Sequence, residues 1–120
     1  LKVNKKENDL NLKTNPKISV VVPSLNQGNF IERTIKSILN QKYQNKEIFV
    51  VDGVSTDNSL EIIKGFNNRI KWISKKDKGQ ADAINKGLKL CNGEIMAWIN
   101  SDDVYFSNTF ETRMYLERFG

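Results

Sequence analysis

Residues 98–103 read Trp-Ile-Asn-Ser-Asp-Asp, a short apolar run that ends in Asn100, Ser101, Asp102 and Asp103. Two carboxylates just past a buried strand repel each other and raise each other's pKa unless a cation lies between them. A hard divalent ion such as Mg²⁺ or Mn²⁺ would supply that charge. Such ions take oxygen ligands, need only one or two carboxylates, and complete their shells with water and substrate phosphates. The motif therefore points to a metal and diphosphate site. The same residues also fit a plainer role, with Ser101 or Asp102 capping the next helix and Asp103 as a solvated turn residue.

Composition removes several other chemistries. There is no histidine, so His-assisted nucleophiles and His-ligated zinc are excluded within the chain, and acid or base work falls to carboxylates. The single cysteine, Cys91, cannot form an internal disulfide; it fits the apolar face of a helix and a reducing, cytoplasmic setting. The net charge is +5, but Lys2, Lys5, Lys6, Lys13 and Lys17 carry much of it. The rest of the chain, with 14 basic and 12 acidic residues, has no stripe dense enough to track a polyanion, so nucleic acid is not an expected partner. The basic start could touch an anionic membrane peripherally. No apolar run approaches a membrane span or a secretion signal, which predicts a soluble protein.

The elements that must position the motif alternate strand and helix. Residues 1–16 lack an apolar period and read as a disordered polar lead-in, with one domain expected over residues 17–120. Ile18 to Pro23 is a continuous β-branched run, as in a parallel strand buried on both faces. Ile31, Ile35, Ile38 and Leu39 then recur at helical spacing. Glu47 to Asp52 predicts a second strand, Ile62, Ile63 and Phe66 a short helix closing near Asn67, and Ile70 to Ser74 a third strand. Ala83, Ile84, Gly87, Leu88 and Cys91 give a helical face that stops at Asn92-Gly93. Glu94 to Ile99 predicts the fourth strand, and a further helix begins near Ser107 with Phe110, Met114 and Phe119 inward. Four such units in a row predict a Rossmann-like α/β fold, a mostly parallel sheet with flanking helices.

Ligands of such sheets bind beyond the carboxyl ends of the strands. The residues there form a consistent polar set: Ser24 and Asn26; Asp52, Ser55 and Asp57; Asp77, Gly79 and Gln80; Asn100, Asp102 and Asp103. Loops are polar in any case, but acids recur at three strand ends. Neither G-x-G-x-x-G nor G-x-x-x-x-G-K-[ST] occurs, which leaves a dinucleotide-binding domain or a P-loop NTPase unsupported.

Four segments, VVVPSLNQGNFIERTIKSILNQ, EIFVVDGVSTDNS, DKGQADAINKGL and GEIMAWINSDDVY, resemble in order and spacing the family 2 glycosyltransferases of GT-A fold. The resemblance runs from about Lys17 to Asn108. It implies transfer of a sugar from a nucleoside diphosphate to an acceptor hydroxyl, usually with inversion and with Mg²⁺ or Mn²⁺. It further implies that Pro23, Ser24 and Asn26 shape the nucleotide pocket and that Asp52 hydrogen-bonds the base, commonly uracil. Lys78, Gly79 and Gln80, with Asp82, match the loop and helix start near the donor ribose and diphosphate. For Lys78 a solvated charge is an equal alternative, and for Asp52 a turn-forming role before Gly53. Glu32 matches an occasional nucleoside contact or a solvated helix residue, and Asn85 a supporting position.

Two departures from the family pattern matter. The metal motif, usually Asp-x-Asp, stands here as Asn100-Ser101-Asp102, which makes Asp102 the expected main ligand, Asp103 the second, and Asn100 and Ser101 part of the nucleotide-sugar site. Gly53-Val54 stands where many members have Asp-Gly, which removes one base-pocket carboxylate. Inversion needs a carboxylate base to take the acceptor's proton. In the family it comes from the acceptor half, beyond Gly120 of this chain. The chain is accordingly expected to be the donor-binding half of a longer enzyme, inactive alone, with a saccharide, lipid-linked or protein acceptor at the inner face of the cytoplasmic membrane. An incomplete sheet of this kind is also expected to self-associate through its exposed edge. A non-catalytic nucleotide-binding module and an α/β scaffold whose acids are caps and turns remain the alternatives.

Overall fold

The computed structural model describes residues 2–5 and 15–101. Its sheet is built from β1 (Lys2–Lys5), β2 (Ile18–Ser24), β3 (Lys46–Asp52), β4 (Lys71–Ser74) and β5 (Ile95–Trp98). The helices are α1 (Ile31–Leu39), α2 (Ser59–Lys64) and α3 (Gln80–Leu90), with a 3₁₀ turn over Asn67–Arg69. The strand order is β1-β5-β2-β3-β4, with β5, β2, β3 and β4 mutually parallel and β1 antiparallel to β5. The parallel α/β sheet read from the alternating runs is thus present, in the expected chain order. The helix expected from Ser107 lies outside the described residues.

One expectation is corrected. Lys2–Lys5, placed by its polarity in a disordered lead-in, forms the edge strand β1, in register from Lys2 opposite Trp98 to Lys5 opposite Ile95. The pairing runs through the main chain along the open edge of β5, and main-chain donors and acceptors carry no hydropathy signal. That edge is therefore covered.

Alternation along the strands divides the core into two layers, one on each face of the sheet. Val20, Val22, Ile48, Val50, Ile95 and Ala97 pack against Ile31, Ile35 and Ile38 of α1 and Ile63 of α2. Val21, Phe49 and Val51 point to the opposite face, against Ala83 of α3 and Cys91. Cys91 lies one residue beyond α3 rather than on it; its extended backbone (φ −85°, ψ 153°) ends the helix. α3 lies close to the sheet because Gly87 has no side chain: a Cβ there would stand 2.5 Å from Val21 Cγ1.

The amino end of the sheet is fastened by a buried acid. Glu47, its side chain 8% exposed, accepts hydrogen bonds from Ser19 Oγ (2.7 Å), the Asn92 amide (3.1 Å) and Lys71 Nζ (3.0 Å), and Lys17 Nζ lies 3.2 Å away. Four segments, the starts of β2, β3 and β4 and the turn before β5, meet on this one carboxylate. Burial pushes its pKa up, but the hydrogen bonds from Ser19, Asn92, Lys71 and Lys17 prevail and hold it down to about 2.

Candidate functional site

The strand order fixes where a ligand can enter. From β2 the chain steps outward through β3 to β4, then returns to the other side of β2 as β5, so the reversal lies between β2 and β5. At such a reversal the connecting segments part in opposite directions and leave a crevice beyond the carboxyl ends of the strands. A cavity of about 400 Å³ occupies this place, lined by Pro23 and Ser24 of β2, Leu25, Gln27, Asp77, Gly79, Gln80, Ala83, and Asn100 and Ser101 after β5.

Each wall has a local cause. On the β5 side, the Ile99 amide donates to the Val21 carbonyl (3.1 Å), and Thr34 Oγ1 of α1 donates to the Ser101 carbonyl (2.5 Å), which ties Asn100 and Ser101 to both β2 and α1. On the α3 side, Gly79 adopts φ +120°, a conformation that L side chains rarely adopt, and its amide donates to Asp77 Oδ1 (3.0 Å). That turn brings Gly79 and Gln80, the start of α3, to the cavity, where the positive end of the helix dipole favours an anion. Gln80 Nε2 donates to Asn100 Oδ1 and closes the cavity between α3 and β5. Ser24 Oγ is buried and has no hydrogen-bond partner among the described residues.

Six of the residues expected in the nucleotide-sugar site, Pro23, Ser24, Gly79, Gln80, Asn100 and Ser101, thus line one cavity. Three others stand apart from its lining. Asn26, at φ +53°, accepts with Oδ1 from the Thr56 amide (2.7 Å) and the Asp57 amide (3.3 Å), joining the loop after β2 to the loop after β3. Asp52 is fully buried; Oδ2 accepts from the amides of Val54 and Ser55 (both 3.0 Å) and from Ser74 Oγ (2.7 Å), and Oδ1 from Ser55 Oγ (2.5 Å). With both oxygens engaged by its own surroundings, Asp52 holds the loop after β3 in shape. Lys78 is exposed, and its amide donates to Asp82 Oδ2 (2.9 Å). The Asp82 carboxyl is held below its usual pKa by that bond and by Lys86.

The loop pair has a second tie. Asp57 Oδ2 accepts from the Gly28 amide (2.9 Å), and Oδ1 accepts from the hydroxyl (2.5 Å) and amide (2.9 Å) of Ser59. Ser59 and Gly28 together lower its pKa. Glu32 is an exposed helix residue paired with Lys36 at 2.8 Å, and Asn85 is exposed on α3.

Leu25 and Gln27 were not singled out from sequence, and Ala83 was read there only as part of an apolar helix face. Asp77 was visible as an acid at a strand end but not selected for the site. Among the described residues no group of three or more His, Cys, Asp or Glu side chains could hold a metal ion. The cavity wall offers one carboxylate, Asp77, and the Asn100 amide oxygen already accepts from Gln80. The described residues therefore do not complete a cation site by themselves; the expected ligands Asp102 and Asp103 lie outside them.

Comparisons with known proteins agree with this geometry. The sequence profile of glycosyl transferase family 2 matches residues 19–114. Glycosyltransferase GlyG of Streptococcus pneumoniae is 42% identical over 99 residues, covering 79% of this chain and 33% of its own length. The Escherichia coli UDP-Glc:alpha-D-GlcNAc-diphosphoundecaprenol beta-1,3-glucosyltransferase WfgD is 34% identical over 99 residues, covering 81% and 39%. Among solved structures, S. aureus TarS 1–349 in complex with UDP-GlcNAc superposes with a TM-score of 0.74 at 27% identity, covering 85% of this chain and 31% of that one. The mannosyltransferase PcManGT from Pyrobaculum calidifontis in complex with GDP-Man and Mn²⁺ gives 0.69 at 26% identity, covering 75% and 28%. The chain spans 33% and 39% of the lengths of the two curated relatives named here.

Proposed function

This chain belongs to glycosyl transferase family 2, and from that membership we propose that it is the donor-binding part of an enzyme that moves a sugar from a nucleoside diphosphate to an acceptor hydroxyl. The observation that carries the reading is the cavity between β2 and β5, with the start of α3 at its wall. A diphosphate placed there meets the positive end of α3. Lys78, exposed at the same turn, adds a positive charge beside it. Pro23, Ser24, Gly79, Gln80, Asn100 and Ser101 bound the ligand, while Asn26 and Asp52 act by fixing the two loops beside it.

We assign a divalent ion, Mn²⁺ or Mg²⁺, to Asp102 with Asp103; when bound it supplies Lewis-acid stabilisation of the charge left on the nucleoside diphosphate. The named complexes of TarS with UDP-GlcNAc and of PcManGT with GDP-Man and Mn²⁺ support a nucleotide-sugar ligand and a metal. We place transfer with inversion, the acceptor's proton going to a carboxylate outside the described residues. WfgD, named for a diphosphoundecaprenol-linked acceptor, supports a lipid-linked acceptor over a free saccharide or a protein. That acceptor would put the reaction at the inner membrane face, which the protein would touch peripherally; no helix among the described residues is long and apolar enough to cross a membrane.

The test is a calorimetric titration of the chain and of Asp102→Ala with UDP, GDP, dTDP and CDP, each with and without Mn²⁺. One nucleotide should bind, more tightly with Mn²⁺, and Asp102→Ala should lose the metal-dependent gain. At a hundredfold excess over Kd, bound ligand should stabilise the fold by about 2.7 kcal/mol. A folded chain that binds none of the four contradicts the reading.

A further inference from the structure

Opposite β1, the sheet ends at β4, which pairs with β3 alone among the described strands. The chain's positive charge gathers along this edge. Residues 64–78 hold Lys64, Arg69, Lys71, Lys75, Lys76 and Lys78 against one acid, Asp77, while the other residues carry 13 basic and 13 acidic side chains. The whole net charge of +5 thus belongs to β4 and the segments at its two ends. All six basic residues are exposed. Lys71 is committed to Glu47, and Lys78 stands at the cavity with its amide bonded to Asp82. Lys64, Arg69, Lys75 and Lys76 remain as the outward charge; the acids nearest to them in the chain are Glu61 on α2 and Asp77.

Aromatic rings lie under part of this charge. Lys64 Nζ stands 5.7 Å from the centre of the Trp72 ring, and Arg69 Cζ 5.9 Å from that of Phe66. Phe66 is buried, but Trp72 is only half-buried, packed on the core and partly open to solvent. Such a ring, apolar in body and wet at its margin, suits the headgroup level of a bilayer. Lysines on an edge strand also serve to prevent pairing with another chain. That purpose accounts for Lys71 on the strand but not for Lys64, Arg69 and Lys76, which lie off it. A second copy placed edge to edge would set these charges against themselves. From Arg69 to Lys76 the charges span about 20 Å, a width that fits a flat anionic surface, and they lead directly to Asp77 and Gly79 of the cavity wall.

We propose that the β4 edge, through Lys64, Arg69, Lys75 and Lys76 around Trp72, is the surface that docks on an anionic lipid bilayer, with the mouth of the crevice beside it. The purpose of the contact rests on the lipid-linked acceptor proposed above. It places the membrane at β4 rather than at the basic start of the chain.

The test is co-sedimentation with vesicles of phosphatidylcholine alone or mixed with phosphatidylglycerol. The wild-type chain should bind only the mixed vesicles and be released by added salt. Each basic side chain near such a surface is worth about fivefold in partitioning. Lys64→Gln/Arg69→Gln/Lys75→Gln/Lys76→Gln should therefore weaken binding about a hundredfold or more, with UDP affinity in Mn²⁺ unchanged. Lys75→Gln/Lys76→Gln, which leaves both ring contacts in place, should lose about twentyfold. Lys2→Gln/Lys5→Gln/Lys6→Gln/Lys13→Gln removes as much charge as the fourfold edge variant and should lose less than about tenfold. In a Trp98→Phe background, lipid brominated in its acyl chains should quench Trp72. Equal losses in the two fourfold variants overturn the surface, as does a bound protein whose Trp72 is not quenched, or binding to duplex DNA tighter than to the mixed vesicles and lost in the same edge variant. A wild-type chain that binds UDP but not the mixed vesicles also overturns it and leaves the donor reading intact; one that binds the vesicles but no nucleotide contradicts the donor reading and supports the surface.

Discussion

Glu47 provides a quantitative test of how the sheet is held. Its carboxyl falls from an ordinary value of 4.5 to about 2 because hydrogen bonds from Ser19, Asn92, Lys71 and Lys17 outweigh its burial. Each pKa unit is worth about 1.4 kcal/mol, so the ionised form contributes about 3 kcal/mol at neutral pH. Folded domains are stable by about 5–15 kcal/mol in total, so this share is large. A depressed folded-state pKa gives stability that is complete above the unfolded value and is lost as pH falls through the folded one. The window therefore runs from about pH 4.5 down to about pH 2. Other acids titrate in the same range, Asp57 and Asp82 among them, so the informative quantity is a difference between proteins. Urea denaturation of wild type and Glu47→Gln should differ by about 3 kcal/mol at pH 7 and by about half of that at pH 3. A difference that stays constant between those pH values, or that is under about 1 kcal/mol at pH 7, refutes the electrostatic role of the cluster.

Two further predictions concern α3 and the turn beyond it. Gly87→Ala places a Cβ 2.5 Å from Val21 Cγ1 and 3.1 Å from Val51 Cγ2. It should destabilise the fold by about 2 kcal/mol and weaken nucleotide binding by lifting α3 from the cavity wall; unchanged urea midpoint and affinity would count against the close approach. The Cys91 thiol, raised to about 11 by burial and by nearby Glu47, should resist a thiol-specific reagent at pH 8 until urea unfolds the chain. Fast labelling of the native protein would contradict its placement between α3 and the sheet.

Much of the fold was legible because its elements carry strong periodic signals. The run from Ile18 to Pro23 has one reading, a buried strand, and all of β2 is buried. Ile31, Ile35 and Ile38 mark one helix face and all three are inaccessible to solvent. The cavity followed from order alone, since polar residues after parallel strands must meet at one end of the sheet. What stayed hidden depends on partners distant in sequence. Glu47 at the start of a strand reads as a solvated charge until Ser19, Lys71 and Asn92 are folded around it. Val54 argues by its side-chain type against the left-handed backbone it adopts, and only the Asp52 carboxylate explains it. The pairing of Lys2–Lys5 with β5 uses main-chain atoms that every sequence possesses. Asn26 lay between these cases: its loop position was readable, but its bonds to Thr56 and Asp57 were not.

The central claim is that the crevice between β2 and β5 takes a nucleoside diphosphate sugar. Amide-resolved NMR titration of the ¹⁵N-labelled chain with UDP-GlcNAc and a diamagnetic divalent ion such as Mg²⁺ tests it by location as well as affinity. Saturable shifts should concentrate at Leu25, Gly79, Gln80, Asn100 and Ser101, with Ser19, Glu47 and Lys71 at the far end of the sheet unmoved. Saturable shifts centred on that far end, or none in a folded chain at millimolar ligand, would contradict it.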